Sequence, residues 1–203
     1  DAFILGENFI DKKNVALILG DNFFYGQSLT KNLIKNSKLK IGARILLHKV
    51  FTPELFGVAK INSKNKVISI KEKPKNFFSN YAITGLYFFD KNVSKYSKKL
   101  KPSKRNELEI VDLLNIYKKK NRLNADIIGR GGAWLDTGSI DDFYKTSAFV
   151  QAIEKQQGLK IACLEEIALV KKWINKKNIL NQIKFYGKCE YSDYLKKILK
   201  VKN

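Results

Sequence analysis

Short, unbroken apolar runs that alternate with capped, periodic segments are the strongest constraint on this chain. Residues 15–19 (Val-Ala-Leu-Ile-Leu) are continuously apolar and stop at Gly20-Asp21-Asn22. A run of this length with polar residues at its carboxyl end reads as a buried β-strand. Residues 43–50 and 123–129 read as strands too, and so do residues 81–89, interrupted by Gly85. Residues 57–61 and 66–71 flank Asn62 and Asn65, as in a hairpin. Between these runs lie helical patterns. Residues 28–36 suit a short helix. Asn106-Glu107-Leu108-Glu109 has the spacing of a capping box ahead of Val111 and Leu114, and the Lys118–Lys119–Lys120 end suits the negative end of a helix dipole. Ser139 and Asp142 cap a second helix carrying Ile140, Phe143, Val150 and Ile153, closed by Gly158. From about residue 160 the pattern is helical throughout. Strands alternating with helices indicate an α/β sheet, to which the hairpin adds antiparallel character.

Charge bears on partners. Lys and Arg number 39 against 19 acidic residues, a net charge of +20. Such an excess invites a polyanion, and a basic nucleic-acid-binding module is one reading. That reading needs lysines clustered on one face with exposed aromatics between them. The cations are nearly all lysine, spread along the chain among asparagines; Arg44, Arg105, Arg122 and Arg130 are the only arginines. Base readout and bidentate phosphate recognition prefer arginine, so a solvated surface is expected and nucleic acid is not. The apolar runs are far too short to span a bilayer, so no membrane is expected either. Asp1-Ala2-Phe3 offers no basic n-region of a signal peptide. Cys163 and Cys189 are far apart, without metal-ligand spacing, which suits a reducing cytoplasm. There is no methionine, even at position 1, which gives the expectation of a fragment.

Three segments could carry chemistry. Asp21, just past an apolar strand, would sit at the carboxyl edge where open α/β sheets bind ligands; it reads equally as a turn residue capping the next helix. Lys73 in Lys71-Glu72-Lys73-Pro74 could neutralise a phosphate as a point charge, or simply be a solvated strand end. Asp136 in Trp134-Leu135-Asp136-Thr137-Gly138 is a second carboxylate on a loop before a capped helix, and could share a hard divalent cation with Asp21. Two carboxylates plus substrate phosphates are enough for Mg²⁺. His48 is the only histidine, which leaves no histidine acid–base pair and suggests a structural role. Neither cysteine has a base nearby in sequence, so a cysteine nucleophile is not expected.

In order along the chain, Leu19-Gly20-Asp21-Asn22, Glu72-Lys73-Pro74, residues 81–90, residues 100–110 and Trp134–Gly138 resemble the bacterial glucose-1-phosphate thymidylyltransferases. The resemblance continues through Gln157-Gly158-Leu159-Lys160 and Cys163–Ala168 and fades after about residue 185. It implies a Rossmann-like α/β fold, a mixed sheet flanked by helices, truncated at the N-terminus and ending in a small helical appendage. The catalytic part would cover residues 1–158 and the appendage 159–203. It further implies that Asp21 and Asp136 hold Mg²⁺, that Lys73 binds the phosphate of glucose 1-phosphate, and that Phe56, Gly57, Glu72, Ile83, Thr84 and Gly85 line the sugar pocket. Phe56 stands where the family has Tyr. The family's second, regulatory nucleotide site would lie near Tyr25-Gly26 and Glu165-Glu166, with Val170 in place of an arginine. The partners implied are dTTP and glucose 1-phosphate, in a homotetramer. A sibling enzyme using UTP, CTP or ATP is the nearest alternative. The family's glycine-rich phosphate loop has no counterpart here, and Asp1 aligns roughly 90 residues into the family's pattern. The resemblance therefore carries the expectation that this polypeptide is inactive by itself.

Overall fold

The computed structural model describes residues 1–27, 29–103 and 106–200. The expected start of the first helix at Ser28, and Arg105 within the 100–110 motif, fall outside the described residues. The chain forms two compact units, residues 1–143 and 144–203.

The first unit opens with two short helices, α1 (Ala2–Leu5) and α2 (Glu7–Ile10), followed by strands β1 (Val15–Ile18) and β2 (Asn22–Gly26) and helix α3 (Leu29–Ser37). Strands β3 (Ala43–Lys49), β4 (Gly57–Ile61), β5 (Val67–Glu72) and β6 (Tyr81–Phe89) come next. Helices α4 (Val93–Ser97) and α5 (Ile110–Lys119) lead to β7 (Leu123–Ile127) and β8 (Gly132–Asp136). Helix α6 (Ile140–Gln157) begins in this unit and runs into the second.

Six strands make the central sheet, in the order β5-β4-β6-β3-β7, with β1 also paired to β6. Only β3 and β7 run parallel; the other pairings are antiparallel, so the sheet is mixed. Side chains alternate between faces along each strand. Ile45, Leu47, Ile83, Tyr87 and Phe89 point into a cluster with Val93 of α4 and Leu113, Leu114 and Tyr117 of α5. Leu46, Leu86 and Phe88 point the other way, against Phe24, Leu29, Leu33 and Ile128. Each fully buried leucine or isoleucine contributes about 2 kcal/mol by leaving water. With both faces covered, β6 is buried along nearly its whole length.

The hairpin and the strands at 43–50, 81–89 and 123–129 stand close to where the sequence pattern puts them. Three details differ. The run at 15–19 is not a buried strand: Val15 and Leu17 pack on the core, but Ile18 is 57% exposed. β1 pairs with β6 alone among the described residues, and an apolar run does not distinguish a strand covered on both faces from one covered on a single face. The capping box at Asn106 does not form. α5 starts at Ile110 without a side-chain cap, and Asn106 instead takes a left-handed turn, donating its N–H to the Ser103 carbonyl. Finally, Asn22–Gly26 and Gly132–Asp136 pair as a separate two-stranded ribbon, so Asp136, expected on a loop, ends a strand.

The second unit contains the C-terminal part of α6, then α7 (Leu164–Val170), α8 (Lys176–Tyr186) and α9 (Glu190–Lys200). Gly158 ends α6 at a φ of +68°. Asn175 and Asn178 form a reciprocal capping box at the start of α8. Cys163, Ile179, Tyr194 and Leu195 form this unit's own core; the boundary between the units falls at 143/144, within α6, where the sequence pattern placed it at 158/159.

Candidate active site

A strand has two edges, and β3 occupies one edge of β6. β1 and β4 therefore share the other: β1 pairs with residues 86–89 and β4 with Ala82. Between them the edge forks at Ile83–Gly85. The β3–β6 ladder also shifts register there, between Ile45 and Leu47. Such a divergence of neighbouring strands is where open α/β sheets receive ligands. The carboxyl end of β1, the amino end of β4 and the carboxyl end of β5 all open toward this fork.

Asp21 follows β1 and precedes β2, and Asp136 is the last residue of β8. Asn22 faces Asp136 across the ribbon. A methyl group placed on Gly138 would sit 3.1 Å from Asp136 Oδ1 and 3.9 Å from Asp21 Oδ2. The two carboxylates thus border one small space, kept open by the missing side chain of Gly138. The Asp21 carbonyl accepts from Thr137 N–H at 2.7 Å and from its hydroxyl at 2.8 Å, tying the two segments together.

Asn22 is the hub of this edge. Its Oδ1 accepts from Trp134 Nε1 at 2.5 Å and from Gly85 N–H at 3.1 Å, while its Nδ2 donates to Asp21 Oδ1 at 2.7 Å. Trp134 meets Phe56 edge to face, with centroids 5.1 Å apart. Gly57 stands opposite Glu72 in the β4–β5 ladder, and a methyl group at Gly57 would lie 2.8 Å from Glu72 Oε2 and 3.9 Å from Ile83 Cδ1. Lys73 leaves β5 at a φ of +38°, directly before Pro74, and donates its N–H to the Phe56 carbonyl. A non-glycine residue held in the left-handed region stores backbone strain, which proteins concentrate at functional sites.

The structure brings together Asp21 with Asp136, and Gly57 with Glu72 and Ile83; Phe56 and Lys73 are joined through the backbone, and Gly85 reaches Asp21 through Asn22. Thr84 stands apart. It is fully buried, its hydroxyl donates to the Leu46 carbonyl, and strand alternation turns it away from Ile83. Sequence reasoning passed over Asn22, Trp134 and Tyr87 as site residues. Tyr87 is buried, and its phenol is pushed well above its ordinary range by burial and then by the charges of Glu72 and Asp21. No local sequence signal marks Tyr87, since it reads only as one more core aromatic.

Two carboxylates, without His or Cys, make a hard oxygen donor set suited to a divalent cation that keeps its other positions for water and phosphate oxygens. Among the described residues no group of three or more His, Cys, Asp and Glu could hold a metal, so this pair could serve only together with a ligand's own oxygens.

The nucleotidyl transferase family profile matches residues 1–153. The chain belongs to that family. It is 44% identical over 199 residues to a glucose-1-phosphate thymidylyltransferase of Neisseria meningitidis, covering 98% of this chain and 69% of the relative. It is 37% identical over 198 residues to one of Mycobacterium tuberculosis, covering 98% and 68%. The chain thus spans about two thirds of the length of these relatives. A crystal structure from Bacillus anthracis, described as a glucose-1-phosphate thymidylyltransferase in complex with a sucrose, superposes with a TM-score of 0.65 at 40% identity, over 73% of this chain and 58% of that one. A UDP-glucose pyrophosphorylase superposes with a TM-score of 0.63 at 23% identity, a likeness of fold alone.

At the segments tied by resemblance to a regulatory nucleotide site, Glu165 accepts from Tyr186 and Tyr191, and Glu166 from Tyr194. Burial alone would raise Glu165, but hydrogen bonds from Tyr191, Tyr186 and Cys163 hold it below the usual carboxylate range. Both carboxylates are therefore engaged within the second unit.

Proposed function

We propose that this chain contributes the metal- and sugar-binding part of a glucose-1-phosphate thymidylyltransferase, which transfers a thymidylyl group from dTTP to glucose 1-phosphate and releases pyrophosphate. The convergence of Asp21 and Asp136 on one space beside the fork is the observation that carries this reading. In the reaction a phosphate oxygen of glucose 1-phosphate attacks the α-phosphorus in line, and the bond to the pyrophosphate oxygen breaks. No covalent enzyme intermediate is needed, in keeping with a site that lacks a histidine base or a cysteine nucleophile.

Asp21 and Asp136 would hold Mg²⁺, which when bound neutralises phosphate charge that would otherwise keep two polyanions apart. Lys73 supplies a positive charge for the sugar phosphate. Glu72, beside the bare Gly57, accepts hydrogen bonds from sugar hydroxyls. Phe56, half-exposed and backed by the buried Trp134, offers apolar surface for the sugar ring. Gly85 admits Asn22, which orients Asp21. Catalysis of this kind is positioning and electrostatic stabilisation rather than proton transfer.

The names of the relatives favour dTTP over UTP, CTP or ATP. A homo-oligomer would cover the exposed stripe Leu164, Ile167, Val170 and Trp173. The free thiols of Cys163 and Cys189 suit the cytoplasm. Among the described residues no helix is long and apolar enough to cross a membrane.

Calorimetric titration with glucose 1-phosphate, with and without Mg²⁺, tests the site, because every residue assigned to that substrate lies in this chain. Binding that strengthens with Mg²⁺ and is lost in Lys73→Ala is the expected result. Binding indifferent both to Mg²⁺ and to Lys73 would overturn the reading. Pyrophosphate release with each of the four nucleotides then measures base preference.

A further inference from the structure

At the fork the β3–β6 ladder skips a residue. Ile45 stands opposite Tyr87 and Leu47 opposite Ile83, so Leu46 alone faces Thr84, Gly85 and Leu86. Extra residues on one strand make a bulge, a device that bends the strand and is over-represented beside active sites. This one separates Ala82, where β6 pairs with β4, from residues 86–89, where it pairs with β1. Gly85, at its middle, turns both backbone groups to the β1 edge. Its carbonyl accepts from the Leu19 N–H at 2.9 Å, and its N–H donates to Asn22 Oδ1 at 3.1 Å. Leu19 and Asn22 are the two ends of the turn that carries Asp21, closed by the Asn22 N–H donating to the Leu19 carbonyl at 3.2 Å. Both ends of that turn are thus tied to one residue of the bulge, and Asn22 also donates to Asp21 Oδ1.

Three residues held against one need a tie of their own, and Thr84 supplies it. Its hydroxyl donates to the Leu46 carbonyl at 3.0 Å, spanning the bulge to the residue that the ladder skips. Both residues are fully buried. Alternation puts Thr84 on the face of Leu86 and Phe88, an apolar cluster in which a hydroxyl is costly unless it is bonded. Valine has the same shape without that cost. What threonine adds at this position is the bond to Leu46.

We propose that Thr84 is a positioning residue which, by pinning the β6 bulge to Leu46, holds Gly85 where it fixes the Leu19–Asn22 turn and with it the Asp21 carboxylate. The consequence for cation binding rests on the metal reading above; the consequence for Gly85 does not.

Hydrogen exchange followed by nuclear magnetic resonance, and Mn²⁺ affinity by electron paramagnetic resonance, are compared in the whole chain as wild type, Thr84→Val and Thr84→Ser. Valine keeps the shape and loses the donor, while serine keeps the donor and loses a methyl group. In the Val variant exchange at Leu19 and Gly85 is expected to speed about tenfold more than at Phe88, which reads any general loss of stability. Mn²⁺ binding should weaken about tenfold. Serine, with its donor intact, should bring both to within about twofold of wild type. Thr84→Ala serves as the donor-less variant should valine not fold. Unchanged exchange at Leu19 and Gly85, acceleration no greater there than at Phe88, Mn²⁺ affinity equal to that of wild type in the donor-less variant, or a Ser variant as defective as the donor-less one would overturn the proposal. If wild type binds no Mn²⁺ the metal reading fails, and exchange at Gly85 with its rescue by serine still decides the role of Thr84.

Discussion

Thr137 donates twice to the Asp21 carbonyl, from its N–H at 2.7 Å and from its hydroxyl at 2.8 Å. The residue after one carboxylate thus holds the backbone of the other. Thr137→Val removes only the hydroxyl bond and should cost about 1 kcal/mol of stability in a thermal melt. Mn²⁺ affinity should fall a few-fold, because Asp21 gains freedom without losing its carboxylate.

Asp136→Asn keeps the size of the side chain and removes its charge. With only two carboxylates at the site, losing one should weaken Mn²⁺ affinity by about 100-fold, with little change in melting temperature, because Asp136 is not buried. Asp21→Asn should do the same. The double variant should be scarcely worse than either single one, as expected for residues acting as a unit. Resonance titration of free Mn²⁺ checks all three.

Gly57→Ala tests the sugar side. The new methyl would sit 2.8 Å from Glu72 Oε2, so the Glu72 side chain must swing away. Glu72 is exposed at the end of β5 and can move at small cost. The expected outcome is stability within about 0.5 kcal/mol of wild type and glucose 1-phosphate binding weakened about tenfold. Calorimetry reads the binding and a melt reads the stability.

The central sheet was legible because its strands are apolar runs bounded by turn residues, as at 57–61 and 81–89. The β2–β8 ribbon was not. Asn22-Phe23-Phe24-Tyr25-Gly26 and Gly132-Ala133-Trp134-Leu135-Asp136 each lack alternation and depend on a partner more than 100 positions away. The motifs named Asp21 and Asp136, but only the ribbon explains why they meet. Asn22 sat in plain view beside Asp21, yet its role depends on Gly85 and Trp134, which only folding brings to it. Thr84 was grouped with Ile83 and Gly85 by adjacency, and strand alternation separates it.

Acid should expose a different part of the sheet. Burial alone would raise the Asp126 carboxyl, but hydrogen bonds from Lys35 and Asn36 and the charges of Arg44 and Lys35 hold it below its ordinary value of 3.8. A carboxylate lowered by folding lends stability that is present above its unfolded pKa and lost as pH falls through its folded one. Asp126→Asn should therefore cost about 3 kcal/mol at pH 7. The gap to wild type should narrow as pH drops below 3.8. Urea melts at pH 7, 4 and 3 measure it.

Gly85 and Asn22 make the sharpest case for a double-mutant cycle. A methyl group at Gly85 would fall 2.6 Å from both Cγ and Nδ2 of Asn22, and the β6 backbone has no room to yield inside the sheet. Gly85→Ala must therefore expel the Asn22 side chain, breaking its bonds to Trp134, Gly85 and Asp21. Three hydrogen bonds at a half-buried edge are worth about 2 kcal/mol together, less than their nominal sum because water replaces part of the loss. Asn22→Ala removes the same bonds from the other side and should cost about as much. Once Asn22 is truncated, the three atoms nearest the methyl are gone, and alanine suits a strand better than glycine. The double variant should thus be no less stable than Asn22→Ala alone. Additive losses in chemical denaturation would show that Gly85 is required for something other than admitting Asn22.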